Sequence, residues 1–150
     1  MKNLTQILLL TTILVFSVVT SAFGTLPTPE EQERQCASSA VDYKKAVVLA
    51  KAIQDAIRNN DRKMLANLAG YPLRVVKSRH CQSDKVIYYY IRTKKQFMEQ
   101  YNSIFTKEVI SSVLQADPAN IFCNYEGAAI AGGTIWFQGG DPLMIVSVIK

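Results

Sequence analysis

The residues best suited to chemistry in this chain are aromatic and lie in strand-like segments. Tyr88, Tyr89 and Tyr90 form an uninterrupted tyrosine run. Side chains alternate along a strand, so Tyr88 and Tyr90 are predicted to share one face while Tyr89 takes the other. Each tyrosine offers a large apolar ring with a polar tip, which suits a pocket wall or a partner interface. Ordinary strand packing is the alternative interpretation of the same run.

A second aromatic cluster surrounds Trp136, the single tryptophan of the chain. Alternation predicts Trp136 on one face of its strand, with Ile135 and Phe137 on the other. Such a cluster is either part of a packed core or a platform for a ligand. The sequence leaves both interpretations open.

The side chains that catalysis would need are sparse. His80, the only histidine, stands beside Cys81, and adjacent residues point apart, so they do not form a nucleophile and base pair. Acid–base chemistry needs a positioned carboxylate, and the strand segments supply Glu126, with Arg74 as a strand residue of opposite charge. The sequence contains no nucleophile elbow, phosphate loop or zinc-binding pair of ligands. It therefore favours binding over catalysis and predicts neither a metal nor a cofactor.

The amino-terminal residues predict the compartment. Lys2 precedes an uncharged apolar run over residues 7–19, and small residues follow at Ala22 and Gly24. This layout is typical of a secretory signal peptide, here residues 1–24, cleaved after Gly24. The alternative, a retained membrane anchor, would need about 20 apolar residues. We expect a periplasmic or secreted protein with no membrane anchor after cleavage.

The basic residues do not indicate a nucleic-acid partner. The formal net charge is +5, and the basic pairs Lys44-Lys45, Arg62-Lys63 and Lys94-Lys95 fall on predicted helices or helix starts with acidic residues nearby. Solvated helix faces are a better interpretation than a patch for anionic ligands. No nucleic-acid-binding motif accompanies them.

Three cysteines, Cys36, Cys81 and Cys123, allow three single disulfides with one thiol left over. Export favours a disulfide. Cys123 lies in a strand-like run typical of a buried free thiol, whereas Cys36 and Cys81 lie in segments with loop character. We favour Cys36–Cys81, and the other two pairings stay open.

The elements that would position these residues form one domain. A loose polar leader is predicted over residues 25–36, followed by a single domain over residues 37–150. Apolar residues at helical spacing predict a long helix over residues 40–57, with a short helix after Asp61. A strand pair and two further helices follow. Short β-type runs between glycine turns fill the last third and predict an antiparallel meander. The fold class is α+β, with helices on one face of a curved antiparallel sheet.

This order of elements resembles the cone-shaped, cystatin-like fold of the nuclear-transport-factor-2-like (SnoaL-like) superfamily. Some segments also resemble small exported bacterial proteins of that superfamily that have no assigned function. Three stretches carry the resemblance: Asn60-Asp61-Arg62 to Tyr71-Pro72-Leu73-Arg74-Val75, then Phe97 to Thr106 with Tyr101-x-x-Ile104-Phe105-Thr106, and Asn124-Tyr125-Glu126-Gly127 through Gly133-Thr134-Ile135-Trp136-Phe137.

The resemblance implies a pocket at the wide end of the cone, lined by inward-facing strand residues. The lining residues that it implies are Tyr88, Tyr90, Tyr125, Glu126 and Trp136. It also implies a homodimer through the open sheet face. It does not select one function, because the superfamily holds isomerases, dehydratases, transport factors, toxin-neutralising proteins and binding modules.

We therefore expect an exported, non-enzymatic binding module that holds a small apolar or amphipathic molecule, or an envelope protein, at the cone mouth. An immunity or inhibitor protein is a specific form of this hypothesis. The alternative is a cofactor-free isomerase, dehydratase or hydrolase, with Glu126 and either Tyr88 or Tyr90 as its acid–base residues.

Overall fold

A computed structural model describes residues 27–77 and 86–150. The predicted signal peptide, His80 and Cys81 lie outside these residues. The helices are α1 (Pro29–Ala37), α2 (Tyr43–Arg58), α3 (Arg62–Leu68), α4 (Lys94–Ile104) and α5 (Lys107–Gln115). The strands are β1 (Ala69–Lys77), β2 (Ile87–Ile91), β3 (Phe122–Asn124), β4 (Gly127–Ile130), β5 (Ile135–Gln138) and β6 (Met144–Ile149). A single 3-10 turn, Ala131–Gly133, lies between β4 and β5.

The predicted α+β class is confirmed, and the sheet is open and curved. Its strand order is β2-β1-β6-β5-β4-β3. The sheet is mixed rather than wholly antiparallel, because β6 lies between β1 and β5 and runs parallel to β1. The other pairs are antiparallel. The long separation between β1 and β6 in the sequence makes this parallel pairing invisible to local patterns.

Short polar side chains begin the helices. Asp42, Asp61, Thr93 and Thr106 each accept a hydrogen bond from a backbone N–H in the first turn of the helix that follows. These bonds satisfy donors that have no partner within the helix. The helix start predicted after Asp61 is therefore confirmed.

The predicted loose leader is wrong over most of its length, because α1 occupies it. Thr28 forms a capping box with Glu31, in which the Thr28 side chain accepts from the Glu31 N–H and the Glu31 carboxylate accepts from the Thr28 N–H. Gln32, which is 5% exposed, also donates to the side-chain oxygen of Asn120 at 3.0 Å. The cap and this tertiary bond hold a helix that lacks a periodic apolar stripe.

The structure pairs Cys36 with Cys123 and so corrects the predicted Cys36–Cys81 disulfide. Their Cα atoms lie 5.0 Å apart, within the range that a disulfide requires. Cys123 is buried, as predicted, but it is not a free thiol. The bond joins α1 to the short edge strand β3. A disulfide of this kind fits an oxidising compartment.

The space between the helices and the sheet is filled with apolar side chains. Leu73 and Val75 of β1, together with Phe137 of β5, are fully buried against the helices. The helices contribute side chains that are also 0% exposed: Ile53, Leu65, Phe97, Ile104 and Val113. One buried polar group, Gln54, donates from its amide to the carbonyls of Val113 and Ala116, both at 2.8 Å, and so ties α2 to the end of α5. Over residues 27–77 and 86–150, no helix has the length and apolar character to span a membrane.

Candidate functional site

The face of the sheet that points away from the helices, here called the outer face, carries the candidate residues. Residues paired directly across neighbouring strands share a face. One such row crosses all six strands and is called the cross-strand row: Tyr90, Arg74, Ser147, Trp136, Ala129 and Phe122. The adjacent residues in these strands, among them Leu73, Ile135 and Cys123, face the core. The cross-strand row therefore lies entirely on the outer face.

Aromatic rings stand at both ends of this row. The Tyr90 ring contacts Tyr88 edge to face at 5.6 Å between centroids, and the Phe122 ring contacts Trp136 in the same way at 6.1 Å. Tyr88 is 52% exposed, Tyr90 44% and Phe122 48%. Large aromatic side chains with this much exposure form an apolar surface that no element among the described residues covers.

A cleft of about 460 Å³ opens in the middle of the outer face. The large side chains that line the cleft are those of Tyr90, Arg74 and Trp136. Ser147 and Gly70 are the small residues among its lining. The lining residues are Gly70, Tyr71, Pro72, Arg74, Tyr90, Glu126, Trp136, Gln138, Val146 and Ser147. The cleft exists because small residues lie in register with large ones.

A β-bulge in β6 shapes this cleft. Trp136 pairs with Ser147 and the next residue of β5, Phe137, pairs with Ile145, so Val146 is an extra residue without its own partner on β5. Val146 and Ser147 consequently both line the cleft, although they are neighbours in the sequence. Bulges re-aim side chains in this way and occur often beside functional sites.

Arg74 is the one basic residue that lines the cleft, and it is exposed. Its Nε donates to the Ser147 hydroxyl oxygen at 3.3 Å, and Ser147 is only 1% exposed. Within the described part of the chain, the ion pairs involve Lys44, Lys45 and Arg58, and none involves Arg74. The guanidinium is therefore held at Nε, while its two terminal nitrogens have no partner among residues 27–77 and 86–150.

Glu126 lies at the rim of the cleft, on the turn that joins β3 to β4. Its backbone N–H donates to the Asn124 side-chain oxygen at 2.8 Å, and its carbonyl accepts from the Gln138 amide at 3.3 Å. The carboxylate is exposed, and it accepts no hydrogen bond from any described residue. The backbone of the turn is thus fixed, but the acid itself is not positioned.

The structure brings three of the five predicted lining residues together, namely Tyr90, Glu126 and Trp136. Tyr88 is beside Tyr90 but outside the cleft, and Tyr125 is 91% exposed at the turn. The expected inward orientation is wrong for Tyr88, Tyr90 and Trp136. Their strand neighbours Ile91, Ile135 and Phe137 are the residues buried against the helices, and alternation then directs the three rings outward.

The sequence interpretation missed the pairing of Arg74 with Ser147. The sequence identifies Arg74 only as a strand residue opposite in charge to Glu126, and in the structure its Nε contacts Ser147 instead. A signal was present, because Ser147 is a polar residue inside the otherwise apolar run of residues 143–149. A polar residue in such a run indicates a buried hydroxyl with a specific partner.

A separate depression of about 400 Å³ lies at the far end of β1 and β2. The ammonium groups of Lys77 and Lys150 lie 5.8 Å and 5.7 Å from the Tyr89 ring centroid. Lys150 also donates to the Ser103 carbonyl. These contacts are cation–π and hydrogen-bond interactions of ordinary stabilising type.

The described residues form no candidate metal site, and comparisons with known proteins give no match. In the part of the chain that the structure describes, no group of three or more histidine, cysteine, aspartate or glutamate residues is placed to hold a metal ion. Comparisons with protein-family models, with curated proteins and with solved structures found no match. The resemblance to the nuclear-transport-factor-2-like superfamily therefore stays a prediction.

Proposed function

We propose that this protein is an exported, non-enzymatic binding module that holds a protein partner on the outer face of its sheet. The observation that carries the proposal is the cross-strand row, in which Arg74, without an acidic partner among the described residues, lies between the exposed rings of Tyr90 and Phe122. Tryptophan, tyrosine and arginine are the residues that most often dominate the energy of protein interfaces. All three occur together in this row, at Trp136, Tyr90 and Arg74.

The packing of the domain supports a surface site over an interior one. The helix-facing side of the sheet is filled by Leu73, Phe137 and Ile145, each 0% exposed. The exposed aromatic rings instead point away from this core. A partner that covers them would remove apolar surface from water, which is the main favourable term in most protein association.

Charge indicates the chemistry of the partner. Arg74 lines the cleft and Arg92 lines the adjoining hollow beside Tyr90, whereas Glu126 is the one acid that lines the cleft. We therefore propose a partner with an acidic group set among apolar side chains. An envelope enzyme or toxin that the protein inhibits or neutralises fits the compartment that the disulfide favours.

The acid–base alternative has less support. A general acid or base has to be held within hydrogen-bond reach of its substrate. Glu126 is exposed on the rim, and Tyr90 is 44% exposed with its ring against Tyr88. This arrangement favours contact with a partner over proton transfer.

Site-specific photo-crosslinking in the intact cell tests the proposal. A photoreactive phenylalanine analogue replaces Phe122 on the outer face, and a matched variant carries it at Val48, which is 67% exposed on α2. We expect the Phe122 position to crosslink one envelope protein and the Val48 position not to do so. The crosslink should disappear when Trp136→Ala is added, with the melting temperature of the variant measured as a control for folding.

Two outcomes would overturn the proposal. Equal crosslinking from both positions would show that contact is not specific to the outer face. A crosslink only to a second copy of the same chain would replace the partner by a homodimer, and light scattering of the purified protein would then show the dimer directly.

A further inference from the structure

The geometry points to a carboxylate-binding subsite formed by Arg74 and Ser147, which receives an acidic group attached to an aromatic or apolar body. This inference rests on the proposed function and deepens it, because it names the group of the partner that enters the cleft. The supporting observations are the terminal nitrogens of Arg74, the aromatic side chains on both sides of the Arg74–Ser147 pair and the charged residues that line the cleft.

One hydrogen bond orients the guanidinium of Arg74. A free arginine side chain samples many rotamers, but the Nε of Arg74 is engaged at 3.3 Å by a hydroxyl that is itself 1% exposed. This bond uses the single N–H of Nε. The remaining pair of nitrogens can then donate in parallel to both oxygens of a carboxylate, which is the strongest and most specific arginine contact.

Aromatic side chains lie on both sides of the Arg74–Ser147 pair. In the cross-strand row, Tyr90 is the neighbour of Arg74 on one side and Ser147 on the other, with Trp136 next beyond Ser147. Because Ser147 is small and accepts from the Arg74 Nε, the guanidinium extends over Ser147 toward the strand that carries Trp136. A carboxylate on Arg74 would therefore place the group attached to it against the indole ring.

The charged residues that line the cleft indicate the charge of the ligand. The cleft is lined by one arginine and by one carboxylate, that of Glu126 at the rim. No ion pair joins them among the residues that the structure describes. A guanidinium that has no ion pair among the described residues, next to aromatic side chains, favours a ligand that is both anionic and apolar.

Binding of a matched pair of small probes tests the subsite without the partner. N-acetylphenylalanine has a carboxylate beside an aromatic ring, and its amide has the same body without the charge. Trp136 is the only tryptophan, so its fluorescence reports occupancy of the cleft. We expect the acid to bind at least about tenfold more tightly than the amide, the usual contribution of a hydrogen-bonded charge.

Substitutions separate the charge from its orientation. Arg74→Gln should abolish the preference for the acid, and Arg74→Lys should retain only part of it because an ammonium cannot bind both oxygens in parallel. Ser147→Ala should reduce the preference severalfold, since Ser147 is a positioning residue. The control is Lys77→Gln, which removes a charge from the same strand but outside the cleft and should leave the preference unchanged.

The inference is overturned if the acid and the amide bind equally, if neither changes the fluorescence, or if the preference survives Arg74→Gln. Its failure is distinct from failure of the proposed function. A specific crosslink at Phe122 together with no preference for the acid would leave a partner surface that uses its aromatic residues without a carboxylate contact.

Discussion

Cys36 in α1 and Cys123 in β3 are joined by a disulfide although 87 positions separate them in the sequence. The bond fixes the first helix to an edge strand of three residues, Phe122–Asn124. That strand has only one neighbour in the sheet, β4. The disulfide therefore supports the side of the sheet that carries Phe122, one end of the cross-strand row.

We predict that Cys36→Ser or Cys123→Ser lowers the free energy of unfolding by about 2–5 kcal/mol, the usual effect of removing a native disulfide. The loop that this bond closes is long, so its effect on the entropy of the unfolded chain is large. Urea unfolding measures the change. Cys81→Ser is the control and should change stability little; a larger loss from Cys81→Ser than from Cys36→Ser would contradict the pairing.

Gly127 should tolerate no side chain. Its φ is +126°, and a Cβ built there would lie 2.4 Å from the backbone oxygen of Phe137. We predict that Gly127→Ala costs at least about 1 kcal/mol, because both the conformation and the contact are unfavourable. Gly140→Ala is the matched control, since a Cβ at Gly140 meets no atom within 4 Å. Similar melting temperatures for the two variants would refute the prediction.

Burial raises the pKa of Tyr101, although the nearby Arg62 guanidinium opposes this shift. The folded state then holds the phenol proton more tightly than the unfolded state does. The resulting stabilisation is complete below about pH 10, the ordinary tyrosine value, and is lost as pH rises through the folded pKa.

We therefore predict that stability falls on the alkaline side and that Tyr101→Phe reduces this fall without a large effect near neutral pH. Urea unfolding at a series of alkaline pH values measures it. Some alkaline loss should remain in the variant, because burial also raises the pKa of Tyr71 and of Tyr43. Tyr125→Phe, at a position 91% exposed, serves as the control. An unchanged alkaline profile for Tyr101→Phe would count against the assignment.

Local patterns predicted helices α2 to α5 and the strand content, but they missed α1. Asp61 and Thr93 begin helices because their side chains accept backbone hydrogen bonds, which depends only on residues a few positions away. Alternation also predicted correctly that Trp136 and its neighbours Ile135 and Phe137 lie on opposite faces of one strand.

Relationships between distant residues could not be predicted in the same way. Both faces of β2 and β5 carry aromatic or large apolar residues, so the pattern alone did not indicate which face meets the helices. The Cys36–Cys123 bond and the Arg74–Ser147 contact each depend on how far-separated strands and helices meet. The candidate lining residues came from alternation together with a fold resemblance, and the bulge at Val146 had no local signal.

The place of β6 within the sheet has a consequence for the order of folding. This strand is the last of the six to be synthesised, yet it lies between β1 on one side and β5 on the other. Without β6, the described strands would form two separate pieces of sheet, β1 with β2 and β3 to β5, because no strand pairing joins these pieces directly. A chain that lacks β6 therefore cannot assemble the cross-strand row, and the surface that we propose for binding forms only once this strand has been inserted.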